Sequence, residues 1–359
     1  MKFIKQLYND EIDNEIDKAT YEATYNPSEK IEIPFSEAKE LYHYCSLESF
    51  YSIIESNCFW LSHPKFMNDL SEQEYAIGTT KKFLQEYNQN INEKDNSKRL
   101  LKLIESKFEL CESKFKGFDE DKYKKHGFFT CFSSDGDSLP MWSMYKGKNV
   151  GLAIGLDFSD EKYFVDLPIS RDKDSDIKKI SPFYNPPYYY FSDIEYQEDI
   201  IKKSINIFLD HISNYYNSSK TELNSNINYA ENYLASKAAF TLMNMSLDLK
   251  NSNFSYEKET RLILLEYTEE DVKFRVKDKF IVPYIEFPLE EKKEVEDGNE
   301  KKIKKKFDKP IIPIKSITIS PNAEEPELVK ASIWAFLNHK GYKLDKKQII
   351  QSPIPYKPR

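Results

Sequence analysis

LYHYCSLESFYSIIESNCFWLS, residues 41–62, carries the pattern that decides the fold. Apolar and polar side chains alternate in LYHYCS as they do in a half-buried strand, and CFWLS is a second short strand. Between the two, apolar residues recur at helical spacing, at Leu47, Phe50, Ile53 and Ile54. The stretch therefore predicts a strand, a helix and a strand in succession.

The chain on either side of this unit adds further helices and strands. Residues 1–40 are acidic and interrupted by prolines, and they predict an N-terminal arm. After the loop HPKFMNDLSEQE, the pattern predicts helical structure from about Tyr75 to Lys114, with a polar interruption at 88–96. The later expected elements are strands at Phe128–Ser133 and Val150–Phe158, a short aromatic helix at Met141–Tyr145, helices at Glu195–Tyr216 and Thr221–Leu249, a strand at Tyr256–Tyr267, and a strand, helix and strand that begin with SITISP.

Composition and charge limit the class of protein. With 40% hydrophobic and 14% aromatic residues, a chain of 359 residues can bury a substantial core and is globular. The net charge of -8 argues against a generally basic nucleic-acid-binding surface but leaves a local basic groove open. The four cysteines lack CxxC spacing and predict free thiols in the cytoplasm. Since there is no apolar leader and no long apolar run, neither secretion nor a membrane contact is expected.

The segment YEKETR, Tyr256–Arg261, is the strongest candidate for a chemical centre. In a strand, Glu257, Glu259 and Arg261 share one face. Neighbouring carboxylates raise each other's pKa unless a cation intervenes, and Arg261 is placed to supply that cation. Such a trio suits a site that stabilises developing positive charge or takes a proton from a hydroxyl nucleophile. The same spacing also fits an exposed ladder of ion pairs, so the pattern alone leaves both interpretations open.

Other candidate positions each have an ordinary structural alternative. His43 lies in an apolar strand, where a histidine is a catalyst or a structural hydrogen-bond donor. Ser133–Ser134 end a strand and either meet a ligand or cap the next turn. The cluster Met141–Tyr145 could stack on an aromatic ring or belong to the core. Asn68–Asp69 could bind a ligand, but an Asx turn is favoured.

Several common chemistries have no motif in this sequence. There is no Walker-type glycine loop, no GxSxG elbow and no HExxH motif. Five scattered histidines and four scattered cysteines offer no compact ligand set, so no metal is expected. A metal-dependent nuclease would need carboxylates from separate elements to converge, and the candidates for that are Asp69, Glu72, Glu257 and Glu259.

The chain resembles a bacterial family, domain of unknown function 2971, in a series of motifs that occur in one order. These are LYHYCSLESFYSIIESNCFWLSHPKFMND, FFTCFSS, MWSMYKGKNVGLAIGLDF, YEKETRLIL and SITISP, and they span residues 41 to about 354. Within a domain of residues 41–359, the stretches at about 160–250 and 289–307 carry no matching motif and are expected to be a helical insertion and a solvated charged loop. The family looks like a distant branch of the ADP-ribosyltransferases. That resemblance implies an α+β fold with split antiparallel β-sheets, helical insertions and a cleft for NAD.

The resemblance also implies roles for the residues that match the motifs. His43 would contact the adenosine-side ribose, and Ser133 or Tyr145 would line the nicotinamide pocket. Glu259 would stabilise the oxocarbenium-like ribose, and Glu257 would orient the acceptor or substitute for Glu259. The complete expected set is catalytic Glu259, Glu257 and His43, with NAD contacts from His43, Tyr44, Ser133, Trp142, Tyr145 and Arg261.

The expected function is transfer of ADP-ribose from NAD, the co-substrate, to a nucleic acid or a protein. A single-stranded DNA or RNA is the favoured nucleic acid, because stacking on Tyr and Trp can hold it with only a local basic track. Members of the family occur in bacterial toxin and anti-phage defence contexts, which implies a phage-derived trigger or an antitoxin as partner. The alternatives are a catalytically silent module that binds a nucleotide, RNA or phage protein, with Arg261 in the acceptor site, and a metal-dependent nuclease.

Overall fold

A computed structural model of the chain shows a mixed α/β protein with one open mixed sheet and several helices. The structure describes residues 12–20, 23, 40–67, 70–92, 95–116, 127–145, 150–158, 189–219, 227–264, 269–277, 279–287 and 312–355. The expected charged loop at 289–307 and the candidates Asn68 and Asp69 lie outside these residues. Within the described ranges, every helix is too short or too polar to cross a bilayer.

Ten strands form the sheet in the part of the chain that the structure describes. They are β1 (Leu41–Ser46), β2 (Phe59–Ser62), β3 (Phe128–Ser133), β4 (Gly151–Leu156), β5 (Tyr189–Asp193), β6 (Glu259–Leu264), β7 (Val272–Lys277), β8 (Phe280–Phe287), β9 (Ile314–Ile319) and β10 (Ile349–Gln351). Their order is β10-β9-β4-β1-β3-β2-β8-β7, with β6 paired to β3 and β5 paired to β6. Neighbouring strands are antiparallel, except that β9 and β10 are parallel.

The sheet forks at β3. Along one edge, the whole of β3 (Phe128–Ser133) pairs with the whole of β6 (Glu259–Leu264). Along the other edge, β3 is aligned with Tyr42 of β1 near its end and with Ser62 of β2 near its beginning. β3 therefore joins three parts of the sheet, and its carboxyl end lies beside the start of β6.

Helices cover both faces of the sheet. They are α1 (Leu47–Ser56), α2 (Leu70–Asn90), α3 (Lys98–Lys116), α4 (Leu139–Tyr145), α5 (Glu198–Ser219), α6 (Ile227–Met245) and α7 (Pro326–His339). On one face, Phe50 of α1 and Leu337 of α7 join a core made with the inward side chains of the strands. On the opposite face, Trp142 of α4 packs against Tyr44 of β1.

A second core consists mainly of helices. Its apolar side chains come from α2, α3, α5 and α6. Residues 12–20, within the expected N-terminal arm, are helical and contribute Ile12 and Ile16 to the same core. A small group of Phe129, Leu247 and Ile263 lies between this core and the sheet. We call the helices and residues of this second core the helical layer.

The first predicted unit forms for reasons that are local in the sequence. The hydroxyl of Ser46 accepts a hydrogen bond from the Ser49 N–H and so caps α1. At the other end, Asn57 takes a left-handed backbone conformation with φ of 54°, a conformation that Asn tolerates better than most residues. The strand, helix and strand predicted at residues 41–62 are therefore confirmed.

The structure differs from the sequence prediction at several boundaries. The helical stretch expected at 75–114 is two helices, α2 and α3, separated near the predicted polar interruption. The strand expected from Tyr256 to Tyr267 is wrong at its start, because Ser252–Glu257 form a 3-10 helix and β6 begins only at Glu259. The strand β7, which forms a hairpin with β8, has no counterpart among the predicted elements, whereas β8 corresponds to the strand-like piece expected before the charged loop. All four cysteines are free thiols, as predicted.

Candidate functional site

Five charged side chains meet where the helical layer touches the sheet. Glu72 belongs to α2, Lys250 follows α6, Glu257 ends the 3-10 helix, and Glu259 and Arg261 belong to β6. None of these side chains is more than 13% exposed. We call this group the charge cluster, and it is the candidate functional site.

Lys250 joins the three carboxylates of the charge cluster. Its Nζ lies 2.5 Å from Glu257 Oε2, 2.9 Å from Glu259 Oε2 and 3.3 Å from Glu72 Oε2. An ammonium group has three N–H donors, so each carboxylate can accept one. The ring of Phe254 lies 5.1 Å from the same nitrogen and adds a cation–π contact. Buried carboxylates require such a partner, because an unpaired buried charge is costly.

Arg261 neutralises Glu259 from another direction. Its Nε lies 2.7 Å from Glu259 Oε1 and its Nη2 lies 3.2 Å from Oε2, which makes a two-point contact. Nη1 donates to the carbonyl of Leu247 at 2.7 Å, and Nη2 also contacts Glu72. The guanidinium lies 4.7 Å from the ring centre of Phe129. A cavity of about 10 Å³ beside Arg261 leaves room for no more than one water molecule.

These contacts give the two neighbouring glutamates different acidities. Burial raises the pKa of Glu259, but the charges of Arg261 and Lys250 outweigh burial and bring the pKa to about 2. Burial also raises the pKa of Glu257, and there Lys250 offsets only part of the effect. Glu259 is therefore a permanent anion near neutral pH. Glu257 takes up a proton more readily and can act as a base.

A tight turn brings Glu257 and Glu259 to the same lysine. Asn251 caps the 3-10 helix by accepting a hydrogen bond from the backbone N–H two residues later. Lys258 then takes a left-handed conformation with φ of 44°, and its side chain contacts Asp135 at 3.1 Å. The prediction that Glu257 and Glu259 share one face of a strand is wrong. They are neighbours in space because the turn, and not a strand, lies between them.

Ser133 fixes this turn from the end of β3. Its Oγ donates to the carbonyl oxygen of Glu257 at 2.6 Å and accepts from the Asp135 N–H at 3.1 Å. The side chain is fully buried, and both of its hydrogen bonds are made within the fold. The structure therefore brings Ser133 next to the charge cluster, where its hydroxyl supports the backbone of Glu257.

Three more side chains approach the two glutamates. The thiol of Cys131 donates to the carboxylate of Glu259, and the phenolic oxygen of Tyr196 accepts from the Glu259 N–H at 2.9 Å. Burial raises the pKa of Tyr145, and the negative charges of Glu257 and Glu259 add to the rise, so the Tyr145 phenol lies within electrostatic range of both carboxylates. Of the sequence candidates, the structure thus gathers Glu257, Glu259, Arg261, Ser133 and Tyr145 in one place.

His43 lies on the opposite face of the sheet from Glu259. Side chains alternate along β1, and it is Tyr42 that is aligned with Ser133 on the face of the charge cluster. The ring of His43 packs edge-on against two phenylalanine rings, and its Nδ1 donates to a backbone carbonyl of β3 at 2.9 Å. Burial lowers its pKa, so the ring is neutral. The structure does not bring His43 to the site.

Tyr44 and Trp142 hold the turn that follows β3. The hydroxyl of Tyr44 donates to the carbonyl of Asp135 at 2.8 Å and accepts from the Ser138 N–H at 3.0 Å. The indole Nε1 of Trp142 donates to Asp137 Oδ1 at 2.8 Å, and Trp142 is fully buried. The polar atoms of both candidates are thus used within the fold.

Lys250 completes the site and is not predicted by the sequence motifs, whereas Glu72 is one of the carboxylates expected to converge in a metal-dependent nuclease. Glu72, Glu257 and Glu259 converge, as a metal-dependent nuclease would require, but the ammonium of Lys250 lies among them. Among the residues that the structure describes, no group of three metal-ligating side chains could hold a metal ion. The one signal for Lys250 is its place at the end of SLDLK, shortly before YEKETR.

Comparison with known proteins gives one match. Residues 141–262 match the model of a family described as "Protein of unknown function (DUF2971)". The match includes most of α4 together with Lys250, Glu257, Glu259 and Arg261, and it supports the resemblance to that family over about a third of the chain. The chain matches no curated protein. It also matches no solved structure.

Proposed function

We propose that the protein is an ADP-ribosyltransferase-like enzyme that uses NAD as its co-substrate and the charge cluster as its reaction centre. The observation that carries this proposal is the pairing of Glu257 and Glu259 on one buried lysine, beside the ends of β3 and β6. The fork of the sheet at β3 supports the proposal that the fold is a split antiparallel sheet like that of the ADP-ribosyltransferases. The acceptor in this proposal is a single-stranded nucleic acid or a protein.

The proposed reaction breaks the bond between ribose C1′ and the nicotinamide nitrogen. Nicotinamide leaves as a neutral molecule with the bonding electrons, and positive charge develops on the ribose. Glu259 stabilises that charge, since its pKa of about 2 keeps it ionised. A hydroxyl of the acceptor, or water, then forms the new bond to C1′ and gives its proton to Glu257.

Aromatic side chains next to the glutamates support an aromatic ligand. Tyr145 ends α4, and Tyr196, whose hydroxyl oxygen accepts from the Glu259 N–H, lies just before α5. Tyr256 is partly exposed, and its hydroxyl lies 3.8 Å from the sulfur of Met144, which is 43% exposed. Rings and thioethers of this kind offer surfaces on which nicotinamide or adenine stacks. In this proposal His43 supports the fold and does not touch the substrate.

Incubation of the purified protein with labelled NAD and cell lysate tests the proposal. We expect release of nicotinamide and transfer of label in the wild type. We expect a loss of about 100-fold or more in Glu259→Gln, a magnitude typical for removal of an electrostatic stabiliser. Glu86→Gln is the matched control, because Glu86 forms an ion pair with Lys202 in the helical layer, away from the charge cluster. A wild type that consumes no NAD, with or without lysate, would exclude the proposal.

One observation favours a second candidate, a catalytically silent module that binds a nucleotide. Both carboxylate oxygens of Glu259 are already engaged by Arg261 and Lys250, as in a purely structural ion pair. This candidate predicts thermal stabilisation by NAD or another nucleotide that persists in Glu259→Gln, without turnover in either protein. Nicotinamide release by the wild type decides against it.

A further inference from the structure

Lys250 is unlike the other cation of the charge cluster. Among the described residues, it is the one cation in contact with Glu257, and it also contacts Glu259 and Glu72. Arg261 contacts only the last two of these carboxylates. The turn brings Glu257 and Glu259 near each other, and Lys250 is the partner that both of their carboxylates contact.

The backbone of Lys250 is held firmly before its side chain enters the cluster. The Lys250 N–H donates to the carbonyl of Glu195 at 3.1 Å, and the Glu195 N–H donates to the carbonyl of Asp248 at 2.8 Å. A 3-10 turn (Ser246–Asp248) precedes Lys250, and the capped 3-10 helix follows it. The side chain itself is 7% exposed. The ammonium group is thus delivered to one place by a rigid stretch of chain.

We propose that Lys250 is the positioning residue of the reaction centre: its ammonium group holds Glu257 beside Glu259 and keeps Glu257 ionised, ready to accept a proton. The catalytic part of this inference rests on the proposed function. The structural part, the control of Glu257 by Lys250, stands without it.

The groups that face Glu257 make the assignment specific. Burial and the negative charges of Glu259 and Glu72 disfavour its ionised form, and Lys250 is the partner that favours it. Although burial lowers the pKa of Lys250, the three carboxylates outweigh burial and raise it, so the lysine stays charged. Burial also raises the pKa of each neighbouring tyrosine and keeps it neutral: Tyr145, Tyr196 and Tyr256.

Carboxyl NMR titration of wild type, Lys250→Met and Lys250→Arg tests the structural part, with Glu257→Gln used to assign the signal. In Lys250→Met we expect the pKa of Glu257 to rise by about one unit or more, because burial then acts without a compensating cation. Glu259 should stay acidic, since Arg261 remains. Lys250→Arg should keep Glu257 close to its wild-type behaviour. The matched control is Lys258→Met, which removes a lysine that is 57% exposed and sits between the two glutamates in sequence.

A double variant covers the case in which Lys250→Met folds poorly. Adding Glu257→Gln removes the buried charge that the missing lysine leaves unpaired, so Lys250→Met/Glu257→Gln should regain part of the lost melting temperature. Adding Glu86→Gln instead should bring no recovery. Absence of rescue by Glu257→Gln, or an unchanged Glu257 titration in Lys250→Met, would overturn the positioning role.

The pH dependence of NAD hydrolysis tests the catalytic part. We expect the acid limb of the activity profile to move to higher pH in Lys250→Met, by the same shift that the titration gives, and to return in Lys250→Arg. A purely structural lysine would lower the melting temperature and leave the limb unmoved, which would overturn its part in the reaction. If the wild type hydrolyses no NAD, the proposed function fails, whereas the titration still decides whether Lys250 controls Glu257.

Discussion

Glu259 should make the stability of the folded chain depend on pH at the acid end. Its pKa is about 2 in the fold, against an ordinary value of 4.5. A carboxyl with a lowered folded pKa contributes stability above its unfolded pKa, and this contribution is lost as pH falls through the folded pKa. We expect the free energy of unfolding of wild type to exceed that of Glu259→Gln by roughly 3 kcal/mol near neutral pH. The difference should shrink between pH 4.5 and about 2 in urea denaturation.

Glu257 gives a comparison of opposite sign. Burial raises its pKa, so its contribution is present below the unfolded pKa and is lost as pH rises through the folded pKa. As pH rises, the stability of wild type relative to Glu257→Gln should therefore fall, whereas the stability of wild type relative to Glu259→Gln should rise. The same direction for both variants would contradict the different acidities of the two carboxyl groups.

The turn between the 3-10 helix and β6 depends on one residue. Lys258 has a φ of 44°, a region that costs any side chain with a Cβ about 1–2 kcal/mol and a β-branched side chain more. Lys258→Val should therefore lower the free energy of unfolding by up to about 1 kcal/mol, and Lys258→Gly should leave it unchanged or raise it slightly. Urea denaturation measures both. Equal stability of the two variants would show that the left-handed conformation is not required.

Elements that depend on neighbours in sequence were predictable, and elements that depend on distant contacts were not. β1, α1 and β2 followed from the alternation of the two strands and from apolar residues at helical spacing between them. The start of β6 did not, because the 3-10 helix and its left-handed end override the β pattern of YEKETR. Alternation along β1 predicts that His43 and Tyr42 lie on opposite faces of the sheet. Only the pairing of β1 with β3 shows that His43 is the one that faces away from Glu259.

The charge cluster connects the helical layer to the sheet, so its loss should weaken both. Arg261 of β6 contacts Glu72 of α2 and the carbonyl of Leu247 as well as Glu259. Arg261→Met leaves buried carboxylates undercompensated and should cost about 3–5 kcal/mol of unfolding free energy. Hydrogen exchange should accelerate in α2 and in β6 together. Faster exchange confined to β6 would contradict a link between the two cores.

A matched control distinguishes the stability lost in Arg261→Met from the stability lost when an exposed ion pair is removed. Lys258→Met removes a pair with Asp135 in which the lysine is 57% exposed. Exposed pairs contribute less than about 1 kcal/mol, so that variant should unfold close to wild type. A similar loss in both variants would mean that burial of Arg261 adds nothing to its contacts.

Joining β3 to β6 has a consequence for the time at which the protein acquires its site during synthesis. Ser133 supports the carbonyl of Glu257, which lies 124 positions later in the chain. The ribosome therefore completes β3 with Ser133 long before it synthesises Glu257, Glu259 and Arg261. Until then β3 cannot pair with β6. Of the three carboxylates that contact Lys250 in the folded protein, only Glu72 has been synthesised by that time. A chain that stops early carries no assembled charge cluster, whatever the finished molecule does.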